Sequence, residues 1–411
     1  MSPSRHPRIT AAAGVLLGAA LVSGCAGTPA EPGEAEQRPS APVEVTGTRI
    51  TVTYDGGLLV LDPDSLQPVA DIALPGFLRL NPVGDAQHLF VSTAEGFQVL
   101  DTGVEVKGHG DHNHYYAGDA QLTDQVFTAP EPGHVVRHAD KVALFSDGAG
   151  TVQVLDPHDV MEPPAAPVWT APQPHHGVAV PLADGGLFVS VGDSEGRSGA
   201  AIVDAQGNQL AANDQCPDLH GEATSGNGTV LAGCTDGVLL WKDGEFSKID
   251  SPDSYGRIGN QAGSEESEVI LGDYKTDPDA ELEEPTRISL VDTESEELQL
   301  VELGTSYSFR SLGRGPDGEA LVLGTDGSLH VIDPDSGEVT ERIAVTAPWS
   351  EPTDWQQPRP TLMVDEDIAY VTEPSTSTIH VVYLPQNKVV DSVELPQVPN
   401  EISGVGEVHA H

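Results

Sequence analysis

The sequence predicts an all-β fold, a single β-propeller of eight blades whose ring is closed by the C-terminal strand. Three observations carry this. A short alternating strand ending in aspartate recurs as LLVLDPDSL (58–66), FQVLDTG (97–103), VQVLDPHDV (152–160), AIVDAQG (201–207), ISLVDTES (288–295) and LHVIDPDSG (329–337). Degenerate copies stand at VLLWKDG (238–244) and IHVVYLPQN (379–387), and their ambiguity leaves seven blades as the alternative. A second short strand precedes each copy: ITVTY, HLFVS, KVALF, LFVSV, TVLAG, EVILG, EALVLG and DIAYVT. Long helical patterns are absent, Gly (44) and Pro (33) are abundant, and aromatic residues make up 5%. Period-two alternation bounded by turn residues is a strand signal, and the Asp-Pro-Asp-Ser type endings supply tight-turn chemistry. Repetition every ~40 to 55 residues describes one propeller rather than several domains.

The chain opens with a segment that does not belong to the ring. Arg5, His6 and Arg8 precede an apolar run from Ile9 to Val22, short for a membrane span and laid out as a secretory signal. The run ends in Leu21-Val22-Ser23-Gly24-Cys25, which resembles a lipobox. That resemblance implies cleavage of residues 1–24, a diacylglyceryl thioether on Cys25, and an extracytoplasmic lipoprotein held at the cell membrane by its lipid alone. Residues 25–46, rich in Pro, Glu, Gly and Ala, cannot bury apolar surface and read as a flexible linker, leaving 47–411 for the propeller.

The first repeat begins at once with ITVTY and lacks a strand before it. VPNEISGVGEV (398–408) follows the last repeat and is placed to supply that strand. Cys216 and Cys234 remain once Cys25 is lipidated; an even pair in an exported chain reads as a disulfide, and two buried free thiols are the alternative.

The formal charge is −45, and removing residues 1–24, which hold Arg5 and Arg8 and no acid, brings it near −47. Such a field repels nucleic acid and anionic membrane and concentrates cations. Specific ligands must still be found before cation binding follows.

In a propeller the innermost strand of each blade starts at one mouth of the central channel. Those starts follow Pro or Gly here: PGFLRL (75–80), PGHVVRH (132–138), PHHGVAV (174–180) and PDLHGEA (217–223), then YGRIGN (255–260), SFRSLG (308–313), QPRPTL (357–362) and NEISGV (400–405). Aligned on the strands that follow, His134, His176 and His220 fall at equivalent positions in three successive blades. Three neutral imidazoles at one mouth suit a tetrahedral divalent metal. Glu222 is a candidate fourth ligand or an acceptor behind a ligand, and Asp218 a weaker one. His138 and His175 stand close enough in sequence to replace an assigned ligand.

The stretch GHGDHNHYYAG (108–118) brings His109, Asp111, His112 and His114 within six positions. It reads as an insertion in the connection between blades two and three, beside the start of blade three. A loop of this kind presents two or three donors to one ion, a capture element next to a buried site. The terminal His409 and His411 read as a solvated tail or a weak ligand pair.

The His-x-Asp-His-x-His run followed by Tyr115-Tyr116, with GHVVRH, PHHGVAVPL, CPDLHGEA, GCTDGV and PTDWQQPRP, resembles the AztD family of zinc metallochaperones, associated with bacterial zinc ABC transporters. The matching segments run in order from about residue 100 to 360. The resemblance implies a β-propeller that binds Zn²⁺ outside the cytoplasm and passes it to the transporter's solute-binding protein; the chain is expected to be a monomer. Two other functions remain open on the residues alone. One is a metal-dependent hydrolase with Glu222 as general base, and the other is an interaction scaffold with incidental histidines. Imidazole and carboxylate donors suit Zn²⁺, and three methionines in no cluster argue against a Cu(I) site. Binding should weaken below about pH 6 as histidines protonate.

Overall fold

The computed structural model describes residues 43–45, 49–109 and 112–405, with side chains from 49–107 and 114–405. The signal segment, Cys25, Asp111, His409 and His411 lie outside the described residues.

Eight antiparallel sheets follow one another along the chain, each built on four strands, so the propeller has the eight blades that the repeats predict. The innermost strands are Arg79–Pro82, Pro132–His138, Ala179–Pro181, His220–Thr224, Gln261–Ala262, Leu312–Arg314, Thr361–Asp365 and Ile402–Gly404. The last of these belongs to blade one: Ile50 pairs with Gly404 and Val52 with Ile402, closing the ring as expected. Arg310 fastens the closure, donating to Asn400 Oδ1 (2.6 Å) and Glu401 Oε1 (2.9 Å).

Burial explains the repeat. The third strand Gly57–Leu61 is buried along its whole length, sandwiched between neighbouring blades, so its sequence is continuously apolar. The outer strand Pro68–Ala73 alternates between half-buried and exposed, and its sequence is correspondingly mixed. The aspartates after the third strands make the anticipated turns; Asp62 Oδ1 accepts from the Ser65 amide (3.0 Å) and hydroxyl (2.7 Å), and Asp333 repeats this with Ser336.

The GHGDHNHYYAG segment departs from expectation. It lies inside blade two, between the third strand Gly96–Asp101 and the fourth strand Gln121–Thr128, rather than between blades two and three. Val104–His109 and His112–Ala117 form a hairpin, and Val43–Val45 adds a strand against Tyr115–Ala117. The fourth strand, QLTDQVFT, is half-exposed and lacks the turn signature of the third strands, so its sequence does not mark it. The hairpin's stem springs from Asp101 and Gln121, which pair with each other, and Asp101 also pairs with His88. Arg79 lies at the other end of the same blade, opposite Ser92. The intervening strand His88–Thr93 has six residues, roughly 20 Å at about 3.3 Å per residue. Since Arg79 and His134 line one cavity, the hairpin leaves from the opposite face and is not the neighbour of His134.

Candidate metal centre

His134 sits near the start of blade three's inner strand, His176 just before that of blade four, and His220 opens that of blade five. Local irregularities aim two of them. Pairing slips between Pro132 and Val135 and again between His220 and Glu222. At the second slip Gly221 adopts φ +72°, where a Cβ would stand 2.1 Å from Gln261 Oε1 and 2.7 Å from the Gly259 carbonyl oxygen. The bulge needs glycine for both backbone and space, and it lets His220 and Glu222 serve different partners.

The three side chains offer nitrogens that all lie within 4.8 Å of one another. The Nε2 atoms of His176 and His220 are 3.2 Å apart, and the ring centroids are separated by 5.1, 5.6 and 5.1 Å. Two of the Nδ1 atoms have a hydrogen-bond acceptor, and the third has a carboxylate beside it. His134 Nδ1 is 2.9 Å from Glu222 Oε2, His176 Nδ1 donates to Asp147 Oδ2 at 2.6 Å, and His220 Nδ1 donates to the Gly259 carbonyl at 2.7 Å. In His176 and His220 the acceptor behind Nδ1 fixes the tautomer and frees the Nε2 lone pair, the usual support for metal-binding histidines.

Charge divides the three rings. Burial opposes protonation of His134, but the adjacent Glu222 carboxylate outweighs it and raises the pKa above the ordinary imidazole value. Burial, reinforced by His134, His176 and Arg257, pushes His220 down to about 3. One ring thus prefers a proton while another refuses one, as when imidazoles crowd a space meant for one cation.

The other sequence candidates separate cleanly. Glu222 stands behind His134, the acceptor's place of the two roles left open for it. Asp218 is occupied by Arg197 (2.8 Å) and Arg257 (2.9 Å). His138 lies at the far end of its strand with Nδ1 2.6 Å from the Pro181 carbonyl. His175 is buried with both nitrogens used, on the Gln173 carbonyl and Ser190 Oγ, each at 2.9 Å. Neither replaces a member of the trio. His109 and His112 are described in backbone only, paired across the hairpin, and Asp111 lies outside the described residues. His114 is half-buried, its ring 6.4 Å from that of Tyr116. Sequence reasoning missed Asp147 and the Gly259 carbonyl. Asp147 follows the second strand of blade three, a position where its register signals nothing until the blades are assembled.

The disulfide forms between Cys216 and Cys234, which are 18 residues apart and flank His220 and Glu222. Both half-cystines are buried in the core between blades four and five.

The trio opens on a cavity of about 710 Å³ whose wall includes Arg79, Asp147, Arg257, Lys275, Phe309 and Trp355. The donor set is three neutral-capable imidazoles with carboxylate and carbonyl support, chemistry that fits Zn²⁺.

No family model matches the chain. It is 29% identical over 364 residues to the zinc chaperone AztD of Citrobacter koseri, covering 85% of this chain and 84% of that one. The crystal structure of C. koseri AztD superposes with a TM-score of 0.75 at 28% identity, over 89% of this chain and 100% of that one. The structure of apo AztD gives 0.74 at 27%, with the same coverage. The dihydro-heme d1 dehydrogenase NirN, 13% identical with a TM-score of 0.57, shares the fold. The resemblance to the AztD family expected from the motifs is borne out in sequence and in architecture.

Proposed function

We propose that this chain, similar to the zinc chaperone AztD over most of its length, is a non-enzymatic extracytoplasmic carrier that holds Zn²⁺ at His134, His176 and His220 and passes it to the solute-binding protein of a zinc ABC transporter. The observation that carries the reading is the convergence of three imidazole nitrogens within 4.8 Å, two of the rings hydrogen-bonded from behind and the third beside a carboxylate. A carrier needs a site tight enough to retain its cargo and open enough to release it, and a trio facing a cavity meets both demands. AztD's name is that of a chaperone, in keeping with a non-enzymatic role. Against the hydrolase alternative, the Glu222 carboxylate that would serve as base stands 2.9 Å from His134 Nδ1 as its ion-pair partner.

The hairpin donors His109, Asp111, His112 and His114 then act at the opposite face, collecting Zn²⁺ away from the trio rather than beside it. Deleting residues 109–114 should slow delivery more than it lowers equilibrium affinity. Residues 1–24 and Cys25 complete the reading as a signal peptide and a lipid anchor, with a monomeric propeller beyond the linker.

Zinc titration of the purified mature protein tests the central claim. One tightly held Zn²⁺ is expected in the wild type and none in His134→Ala/His176→Ala/His220→Ala. A triple variant that keeps its tight zinc overturns the site, and zinc-loaded protein that delivers nothing to the solute-binding protein overturns the carrier role.

A further inference from the structure

The trio supplies three donors, and the nearest carboxylates in the same cavity wall stand at the Nδ1 atoms of two of its rings. Asp147 and Glu222 lie behind His176 and His134, at 2.6 and 2.9 Å from their Nδ1 atoms. Asp273, buried in the same cavity wall, accepts from the Gly259 (2.7 Å) and Asn260 (3.0 Å) amides through Oδ1. Among the described residues the cluster able to hold a metal ends at three histidines. Tetrahedral zinc takes four ligands, so among the described residues the fourth position is left to a ligand from elsewhere.

The cavity indicates what kind. The chain has 19 basic residues against 64 acidic ones, yet three of the 19 line this space: Arg79, Arg257 and Lys275. Arg79 is 52% exposed in its side chain and among the described residues pairs through Nε with Glu401, at 3.3 Å. Lys275 makes no side-chain hydrogen bond or ion pair among the described residues, although Asp273 senses its charge. Phe309 and Trp355 add an apolar wall, which suits a carbon skeleton and offers nothing to a bare inorganic anion. A volume of about 710 Å³ also exceeds what water alone would require of a ligand site.

We infer that the cavity binds an organic carboxylate, which completes the coordination of the bound metal while Arg79 and Lys275 hold its negative charge. This rests on the zinc-carrier reading above and names the co-ligand class for that site. A carboxylate of this kind comes from a small dicarboxylic acid or from an acidic side chain of the receiving protein. In either case the cargo is released by exchanging an anion rather than by unfolding a fourth protein ligand.

Mature protein loaded with Co²⁺, which reports its ligands through its visible d–d bands, tests the inference in carboxylate-free buffer. Succinate should shift the bands saturably, and the half-saturating concentration should rise at least tenfold in Arg79→Gln/Lys275→Gln. The variant's metal stoichiometry, measured without carboxylate, should match the wild type and shows that it is folded. A glutamate-rich hexapeptide forms the second arm: a response to it alone assigns the carboxylate to a protein partner, and a response to succinate assigns a free acid. Bands unmoved by both probes, an equal response in the variant, or an equal response to inorganic phosphate would overturn the inference while leaving the trio intact. Co²⁺ that fails to bind, or that still binds after alanine replaces the trio, overturns the carrier reading itself.

Discussion

His176 and His220 approach to 3.2 Å between their Nε2 atoms although they stand 44 residues apart and belong to different blades. Two neutral imidazoles gain little from each other at that distance, because one must turn a lone pair toward the other or donate a proton to it. The contact is held from behind, by Asp147 on one ring and the Gly259 carbonyl on the other. The fold therefore sustains a congested donor set that only a cation relieves.

Removing the brace should weaken the metal without removing a ligand. Asp147→Asn keeps the shape and loses the charge that fixes the His176 tautomer. Zinc affinity is expected to fall roughly 10- to 100-fold, the usual effect of altering a ligand's hydrogen-bond partner. Glu222→Gln should do the same through His134. Competition titration against a chelating dye reads both, and wild-type affinity in both variants would refute the bracing role.

The extent to which this site was legible follows from where its parts come from. His134, His176 and His220 recur at one place in three repeats, so aligning the repeats brings them together before any coordinates exist. Asp147 enters from the end of a second strand and Gly259 contributes only a carbonyl, and neither leaves a trace in a repeat alignment. The eight-blade ring is readable because the third strands are largely apolar and six of the eight end in a turn-forming aspartate. The outer strand Gln121–Thr128 has neither feature, which is why the histidine hairpin looked like a link between blades and was assigned to the wrong face. Exposure erased the signal that burial had written elsewhere.

Acidification should act on the two ends of the trio in opposite senses. In the metal-free protein His134 holds its proton above the ordinary imidazole value of 6.5, whereas His220 stays neutral down to about 3. Zinc must displace the His134 proton, so its apparent affinity should begin to fall above pH 6.5 rather than only below pH 6. For stability without metal, the His134 contribution is complete below pH 6.5 and is lost as the pH rises through its raised value. The His220 effect runs the other way: the unfolded chain takes up a proton that the native ring refuses, so stability is lost as pH falls from 6.5 toward 3. NMR titration of the imidazole nitrogens resolves both, and a His220 ring that titrates near 6.5 would contradict the buried neutral assignment.

Reducing the disulfide should loosen the segment that carries the site. Cys216 and Cys234 enclose His220, Gly221 and Glu222 in an 18-residue separation. Loop-closure entropy alone gives a stabilisation of about 3 kcal/mol for a loop of this size. Cys216→Ser/Cys234→Ser should lower stability by about 2–4 kcal/mol in chemical denaturation, and zinc affinity with it. Mass spectrometry of exported protein should find no free thiol, and two reactive thiols there would remove the bridge from the account.

Gly221→Ala offers the sharpest test of how the bulge builds the centre. The left-handed conformation at φ +72° costs an alanine about 1–2 kcal/mol. Its Cβ would also meet Gln261 Oε1 at 2.1 Å and the Gly259 carbonyl oxygen at 2.7 Å. The glutamine can swing away, but the carbonyl is backbone and is the acceptor that orients His220. The strain should therefore pass directly into the trio and lower zinc affinity at least tenfold. Gly228→Ala is the matched control: it has φ +78° in the same blade, and nothing lies within 4 Å of its Cβ. It carries the conformational cost without the collision, so it should lose similar stability and keep its zinc. Thermal denaturation paired with zinc titration separates the two quantities. Equal zinc affinity in the two variants would mean that the bulge serves the blade and not the metal.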